Sequence, residues 1–89
     1  MPVDLPQQAE FEAWLDRQSI GPTFKANILS TLRKVQREYG SIPRDIEKFN
    51  DEYVARCSIG RVRRIHLRLA VRRYCEFRKA CYGEPFNDS

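Results

Sequence analysis

Apolar side chains recur along this chain at helical spacing, and glycine and proline divide the pattern into four segments. In the second segment Phe24, Ile28, Leu32, Val35 and Tyr39 follow one another at steps of four, four, three and four residues. These steps are the period of one helix face. No segment alternates polar and apolar residues for long, as a half-buried strand would. The pattern therefore predicts an all-α chain.

The borders of the first three predicted helices come from residues that begin or end helices. Pro6 suits the first turn of helix 1, with Asp4 just before it, and Thr23 suits the N-cap of helix 2. Gly40 is a natural stop for helix 2 because glycine readily takes the left-handed conformation at a helix end. Helix 3 is expected to carry Pro43 in its first turn.

The fourth helix is predicted to be the longest and the central one. It should run from about 60 to 82 and end at Gly83, which leaves 84–89 as a frayed tail. Its apolar residues cover a broad arc, so more than one neighbour must pack against it. The residues expected on its buried side are Val62, Ile65, Leu69, Phe77 and Ala80, extended by Leu67, Val71, Tyr74 and Tyr82.

Composition narrows the class of protein. The 89 residues predict one domain, ordered over about 6–83, because so short a chain has no room for two cores. No apolar run approaches the ~20 residues of a membrane span, so we expect a cytoplasmic protein. The odd number of cysteines fits a reducing compartment. The spacing of Cys57, His66, Cys75 and Cys81 matches no common zinc pattern, so neither a metal nor another cofactor is expected.

Charge divides the chain into an acidic first segment and a basic last helix. Residues 61–82 hold eight Lys or Arg and one acid, a net +7 against +4 for the whole chain, whereas 1–20 carry −3. Five of these residues fall within about 80° of arc at about 100° per residue. This basic stripe consists of Arg61, Arg64, Arg68, Arg72 and Lys79. It indicates a polyanionic partner, nucleic acid first, with a solvated helix face as the alternative.

Three stretches of the sequence, 11–40, 42–55 and 60–83, also match, in this order, the sequence pattern of one known protein family. The stretch FEAWLDRQSIGPTFKANILSTLRKVQREYG contains an aromatic-x-x-Trp-Leu helix, then a break with Ser and Thr, then a long amphipathic helix. The matching residues are Phe11, Trp14, Leu15, Ser19 and Thr23, then Asp45, Ile46 and Phe49, then Leu69, Arg72, Arg73, Tyr74 and Phe77. Over roughly 8–83 the chain thus resembles the SAM-like core-binding domain of tyrosine recombinases, the phage-integrase family. Asn27 departs from the family, which usually has an aromatic residue there.

The resemblance implies a four-helix SAM-like orthogonal bundle that binds duplex DNA in DNA integration and recombination. Its second and fourth helices would approach the major groove. The contacts implied by position are Lys25, Ser30, Arg33 and Arg37 on the second helix and Arg61, Arg64, Arg68 and Arg72 on the fourth. The basic stripe adds Lys79. Duplex DNA is the expected partner, with no membrane and no small-molecule substrate. Self-association and a catalytic domain acting in trans both stay open, as does whether the chain is a recombinase fragment or a small stand-alone relative.

We expect no catalytic residues in this chain. In the resembled family, strand exchange needs a separate domain that supplies several arginines, a lysine, histidines and a tyrosine nucleophile. Tyr74 and Tyr82 fall on or beside apolar helix faces, where packing places such side chains. The alternative function is a non-enzymatic interaction bundle whose basic ridge docks an acidic partner protein.

Overall fold

The computed structural model describes residue 5 and residues 7–87, and it confirms the all-α prediction. Its elements are α1 Gln8–Arg17, α2 Pro22–Tyr39, α3 Ile46–Glu52, a 3₁₀ turn Val54–Arg56, and α4 Arg61–Tyr82. Within these described residues β pairing is limited to one isolated bridge, between Asp45 and Asn87. The chain is therefore a helical bundle, while its SAM-like arrangement stays a prediction.

Glycine ends both long helices, as predicted. Gly40 follows α2 with φ 98° and Gly83 follows α4 with φ 67°, the left-handed region that side chains with a Cβ rarely adopt. The start of α2 differs by two residues, because Gly21 rather than Thr23 is the N-cap and Pro22 takes the first helical position. The start predicted for helix 1, at Asp4 and Pro6, lies outside the described residues.

The prediction that Pro43 lies in the first turn of helix 3 is wrong. The helix begins at Ile46, and Asp45 is its N-cap, with Oδ1 accepting a hydrogen bond from the backbone N–H of Lys48 at 2.9 Å. Asp45 is the better start because its carboxylate satisfies an N–H that would otherwise lack a helical partner. Pro43 lies instead, buried, in the preceding loop.

α4 is the central helix, as predicted, because α1, α2, α3 and the 3₁₀ turn all pack against it. Phe11 of α1 contacts Tyr74 and Phe77 of α4, with ring centroids 5.1 and 5.2 Å apart. The largest fully buried side chains are Phe11, Leu15, Leu32, Val35, Phe49, Val71 and Phe77. This core fixes the two longest helices, α2 and α4, relative to each other.

The buried side predicted for α4 is partly wrong. Val62 is 65% exposed and Ile65 is 45% exposed, because the buried part of α4 begins only at Leu67 and all six residues 61–66 are exposed. Leu69 is half-buried, and the core face is formed by Leu67, Ala70, Val71, Tyr74, Cys75 and Phe77. Ala80 and Tyr82 are exposed, and so is Phe24 at the start of α2.

The predicted frayed tail is wrong for 84–87. The backbone N–H of Asn87 donates to the carbonyl of Arg44 at 3.0 Å, and the N–H of Ile46 donates to the carbonyl of Asn87 at 2.9 Å. Glu84 forms ion pairs with Arg44 and Arg78, while Phe86 packs against the core. These contacts join the segment after α4 to the loop before α3. Residues 88–89 lie outside the described residues.

Candidate nucleic-acid interface

An open groove of about 500 Å³ lies between α2 and the start of α4. We call it the α2–α4 groove. Its lining residues are Asn27, Ser30, Thr31, Arg33, Lys34, Arg37, Ile59, Arg63, His66 and Leu67. Four of these side chains carry a positive charge and none carries a carboxylate, so the groove is electrostatically suited to a polyanion.

The side of α2 that faces the groove follows from the side that it buries. Ile28, Leu32 and Val35 point into the core, which turns Ser30, Arg33 and Arg37 outward at steps of three and four residues. Arg33 is half-buried, and its Nε is buried without a hydrogen-bond partner among the described residues. A buried donor that lacks a partner is costly.

The groove also contains residues that were not predicted as DNA contacts from the sequence, among them Lys34 of α2 and two residues of α4. Arg63 and His66 of α4 face α2 across the groove. Arg63 was missed because it lies well outside the arc of the basic stripe, about 160° from Arg61 on the helical wheel. The signal that could have found it is spacing, since Arg63 precedes His66 and Leu67 of the same helix by three and four residues.

The basic stripe lies on another side of α4. Arg61, Arg64, Arg68 and Arg72 are all exposed, as Lys79 is farther along the helix. Arg68 and Arg72 line a separate depression of about 130 Å³ with Ile46, Ile65 and Leu69. The guanidinium of Arg64 donates to the carbonyl of Cys57 at 3.3 Å, which holds it near the start of the helix. The predicted DNA contacts are therefore divided between two surfaces.

Four predicted contacts line neither depression, namely Arg61 and Arg64 at the start of α4, and also Lys25 and Lys79. Lys25 Nζ lies 2.9 Å from Asp16 Oδ1, so its charge is already paired with α1. Lys79 Nζ lies 5.9 Å from the ring centroid of Phe86, near the end of α4. A rise of about 1.5 Å per residue puts Lys79 about 27 Å from Arg61 along the helix axis.

The surroundings of the tyrosines stabilise the phenol form. A hydrogen bond to Glu10 raises the pKa of Tyr82 to about 12, and burial raises the pKa of Tyr53 to about 12. A hydrogen bond to Glu52 raises the pKa of Tyr39, and burial raises the pKa of Tyr74. A nucleophilic tyrosine benefits from the opposite shift, because the phenolate is the attacking form.

The part of the chain that the structure describes contains no group of three metal-ligating side chains from His, Cys, Asp and Glu. Cys75 is buried, and its thiol donates to the carbonyl of Pro43 at 3.2 Å, whereas Cys81 is exposed and Cys57 is half-buried.

Among the helices of the described residues, none combines the length and the apolar character that crossing a bilayer requires.

Comparisons with known proteins give no relative for this chain. No protein-family model, curated protein or solved structure matches it. The resemblance to tyrosine recombinases therefore depends on the sequence motifs alone.

Proposed function

We propose that this chain binds duplex DNA through the α2–α4 groove, as a helical DNA-binding domain of the phage-integrase type. The observation that carries the proposal is the lining of the groove. Two helices bring Arg33, Lys34, Arg37 and Arg63 together there without a carboxylate in the lining. Neutralising backbone phosphates with Lys and Arg releases condensed counterions, which supplies most of the affinity of non-specific DNA binding.

The groove offers two kinds of contact to a duplex. Arg37 and Arg63 are exposed and can each meet a phosphate. Asn27 and Ser30 are exposed polar side chains of the kind that bond phosphate oxygens or base edges. An arginine of this set could pair with guanine, the commonest specific contact in the major groove.

The proposed role is affinity and positioning, within a reaction whose chemistry another domain or protein supplies. DNA integration and recombination are the proposed setting, because the motifs resemble that family. A cytoplasmic location is part of the proposal, since an exposed free thiol such as Cys81 suits a reducing compartment.

The test is the salt dependence of binding to a labelled duplex of random sequence, followed by fluorescence anisotropy. If the groove neutralises about four phosphates, log K should fall with log salt at a slope of about −3 to −4. Changing both Arg37 and Arg63 to Ala should weaken binding and flatten the slope by about two. The matched control changes Arg17 and Lys48, which line neither depression, to Ala. Equal binding by the groove variant and the control would overturn the proposal.

The second candidate is an interaction bundle that docks an acidic protein. It is favoured by the exposure of Val62 and Ile65 beside the arginines of the basic stripe, since an exposed apolar patch with a charged rim is typical of protein contacts. Absence of duplex binding even at low salt would favour this candidate over the first.

A further inference from the structure

Two apolar side chains are exposed in the first turns of α4, among residues that are otherwise basic. All six residues 61–66 are exposed, and they hold three arginines, one histidine and no acid. The other two are Val62, which is 65% exposed, and Ile65, which is 45% exposed. We call Val62 and Ile65 the apolar pair. Their exposure leaves apolar surface at the start of α4 available to a ligand.

The apolar pair lies between two sets of basic side chains. At about 100° per residue, Arg61 and Arg64 point about 70° and 130° to one side of the direction midway between the pair. His66 and Arg63 point about 70° and 130° to the other side, and both also line the α2–α4 groove. Arg64 donates a hydrogen bond to the carbonyl of Cys57, and a guanidinium has five N–H groups to donate. One flank of the pair is thus continuous with the proposed DNA-binding groove.

The major groove of DNA has a matching arrangement. Phosphates line both of its edges, and each thymine presents a 5-methyl group among the base edges between them. The groove is about 12 Å wide and about 8.5 Å deep. A helix with its side chains is about 10–12 Å across, and six residues span about 9 Å of its axis. The first turns of α4 can therefore enter the major groove of one straight duplex, with basic side chains toward both strands and the apolar pair toward the bases.

This surface suits a duplex better than it suits an acidic protein. Two basic flanks at equal angles from the apolar pair match the two rows of phosphates that every duplex has. The pair itself is only two side chains wide, whereas apolar patches that bind proteins typically measure roughly a few hundred Å² or more. The charge and the size of the surface therefore both favour DNA.

We propose that Val62 and Ile65 contact the 5-methyl groups of pyrimidines in the major groove, so that the chain prefers duplexes that carry these methyl groups. The inference rests on the proposed function and adds sequence preference to it. Apolar contact with the thymine methyl is one of the direct ways in which proteins distinguish bases. 5-Methylcytosine carries the same group at the same ring position. Burial of one methyl group corresponds to about a four-fold gain in affinity.

The experiment compares duplexes that differ only in the methyl group, by fluorescence anisotropy at low salt. In the first comparison, a duplex of A·T pairs in mixed order contains either thymine or uracil. In the second, a duplex of G·C pairs contains either 5-methylcytosine or cytosine. The wild-type chain should bind the methylated duplex about four-fold more tightly than its unmethylated counterpart. A preference in the first comparison alone assigns the contact to thymine, and a preference in the second alone assigns it to 5-methylcytosine.

The variant Val62→Ala with Ile65→Ala tests whether the apolar pair causes the preference. Alanine has the highest helix propensity, so the start of α4 should be retained. All charges are kept, so binding of the unmethylated duplexes should stay nearly unchanged while the preference for methyl groups disappears. The control is Tyr82→Ala, which removes an exposed apolar side chain about 30 Å away along α4 and should keep the preference. Far-UV circular dichroism checks the helices, and the two single variants replace the double variant if it unfolds.

The outcomes separate this proposal from the proposed function. Equal wild-type affinity within both comparisons would overturn the methyl contact and leave DNA binding standing. A full preference that persists in the alanine variant would also overturn it, because the shape of the methylated DNA would then be the cause. Absence of binding to every duplex would refute the proposed function itself and would assign the apolar pair to a protein contact.

Discussion

At the scale of single residues, Asp45 shows how one side chain sets a helix border. Its carboxylate accepts hydrogen bonds from the Lys48 N–H at 2.9 Å and from the side-chain amide of Asn87 at 3.2 Å. The bond from Lys48 is the main cause that lowers the pKa of Asp45 below its ordinary value of 3.8. The ionised form therefore stabilises both the start of α3 and its contact with the segment after α4.

The sign of that pKa shift predicts acid sensitivity. Because the folded-state pKa lies below the unfolded one, the contribution of Asp45 is fully present above about pH 4 and is lost as the pH falls through the folded pKa. Asp45→Asn can still cap the helix but cannot titrate, so this part of the pH dependence should disappear. Urea unfolding between about pH 6 and pH 2 measures it. Identical pH profiles for the variant and the wild type would contradict the assignment.

At the scale of elements, spacing predicted the helices but not which parts of them would be covered. Helical periodicity identifies residues that share a face, and it placed Ile28, Leu32 and Val35 correctly in the core. It cannot say how far a neighbouring helix extends. Val62 and Ile65 share the apolar arc of α4, yet they are exposed because the buried part of α4 begins only at Leu67.

Leu32 and Leu69 were both expected in the core, but they differ in how completely neighbouring helices cover them. Leu32 is fully buried and touches the packed interior on all sides, so Leu32→Ala should lower the free energy of unfolding by roughly 2–5 kcal/mol. Leu69 is only half-buried, so less apolar surface and less cavity are at stake. Leu69→Ala should therefore cost clearly less than Leu32→Ala in chemical denaturation. An equal or larger cost for Leu69 would mean that α4 is rotated from the orientation described.

At the scale of the whole molecule, the candidate site depends on which helix faces meet. The sequence correctly identified Ser30, Arg33 and Arg37 as groove-facing residues. They lie on a different side of α2 from its buried residues, so helical spacing alone separates the two sets. It missed Arg63, whose place depends on α4 packing against α2. A helical wheel of α4 alone shows which of its residues share a face. The groove between α2 and α4 can be identified only when the packing of the two helices is known.

The distribution of charge over the molecule also leads us to expect no strand cleavage by this chain alone. Strand transfer needs a nucleophile and several cations converging on one phosphate. The tyrosines have raised pKa values, and the arginines are spread over two surfaces. Incubation with a nicked suicide duplex should give no covalent adduct on a denaturing gel. An adduct that disappears in Tyr74→Phe or Tyr82→Phe would make the chain a minimal enzyme.

The segment that follows α4 also covers a thiol, which gives the chain a built-in reporter of local opening. Cys75 is buried and lines, with Glu84 and Phe86, an open cavity of about 330 Å³, so displacement of this segment should increase the access of a reagent to the sulfur. Cys81 is exposed and should react at once, as an internal reference. Replacing Glu84 by Gln removes the ion pairs to Arg44 and Arg78 and should speed the labelling of Cys75 several-fold. Mass spectrometry of the labelled peptides would time that opening, and an unchanged rate would show that the ion pairs do not limit it.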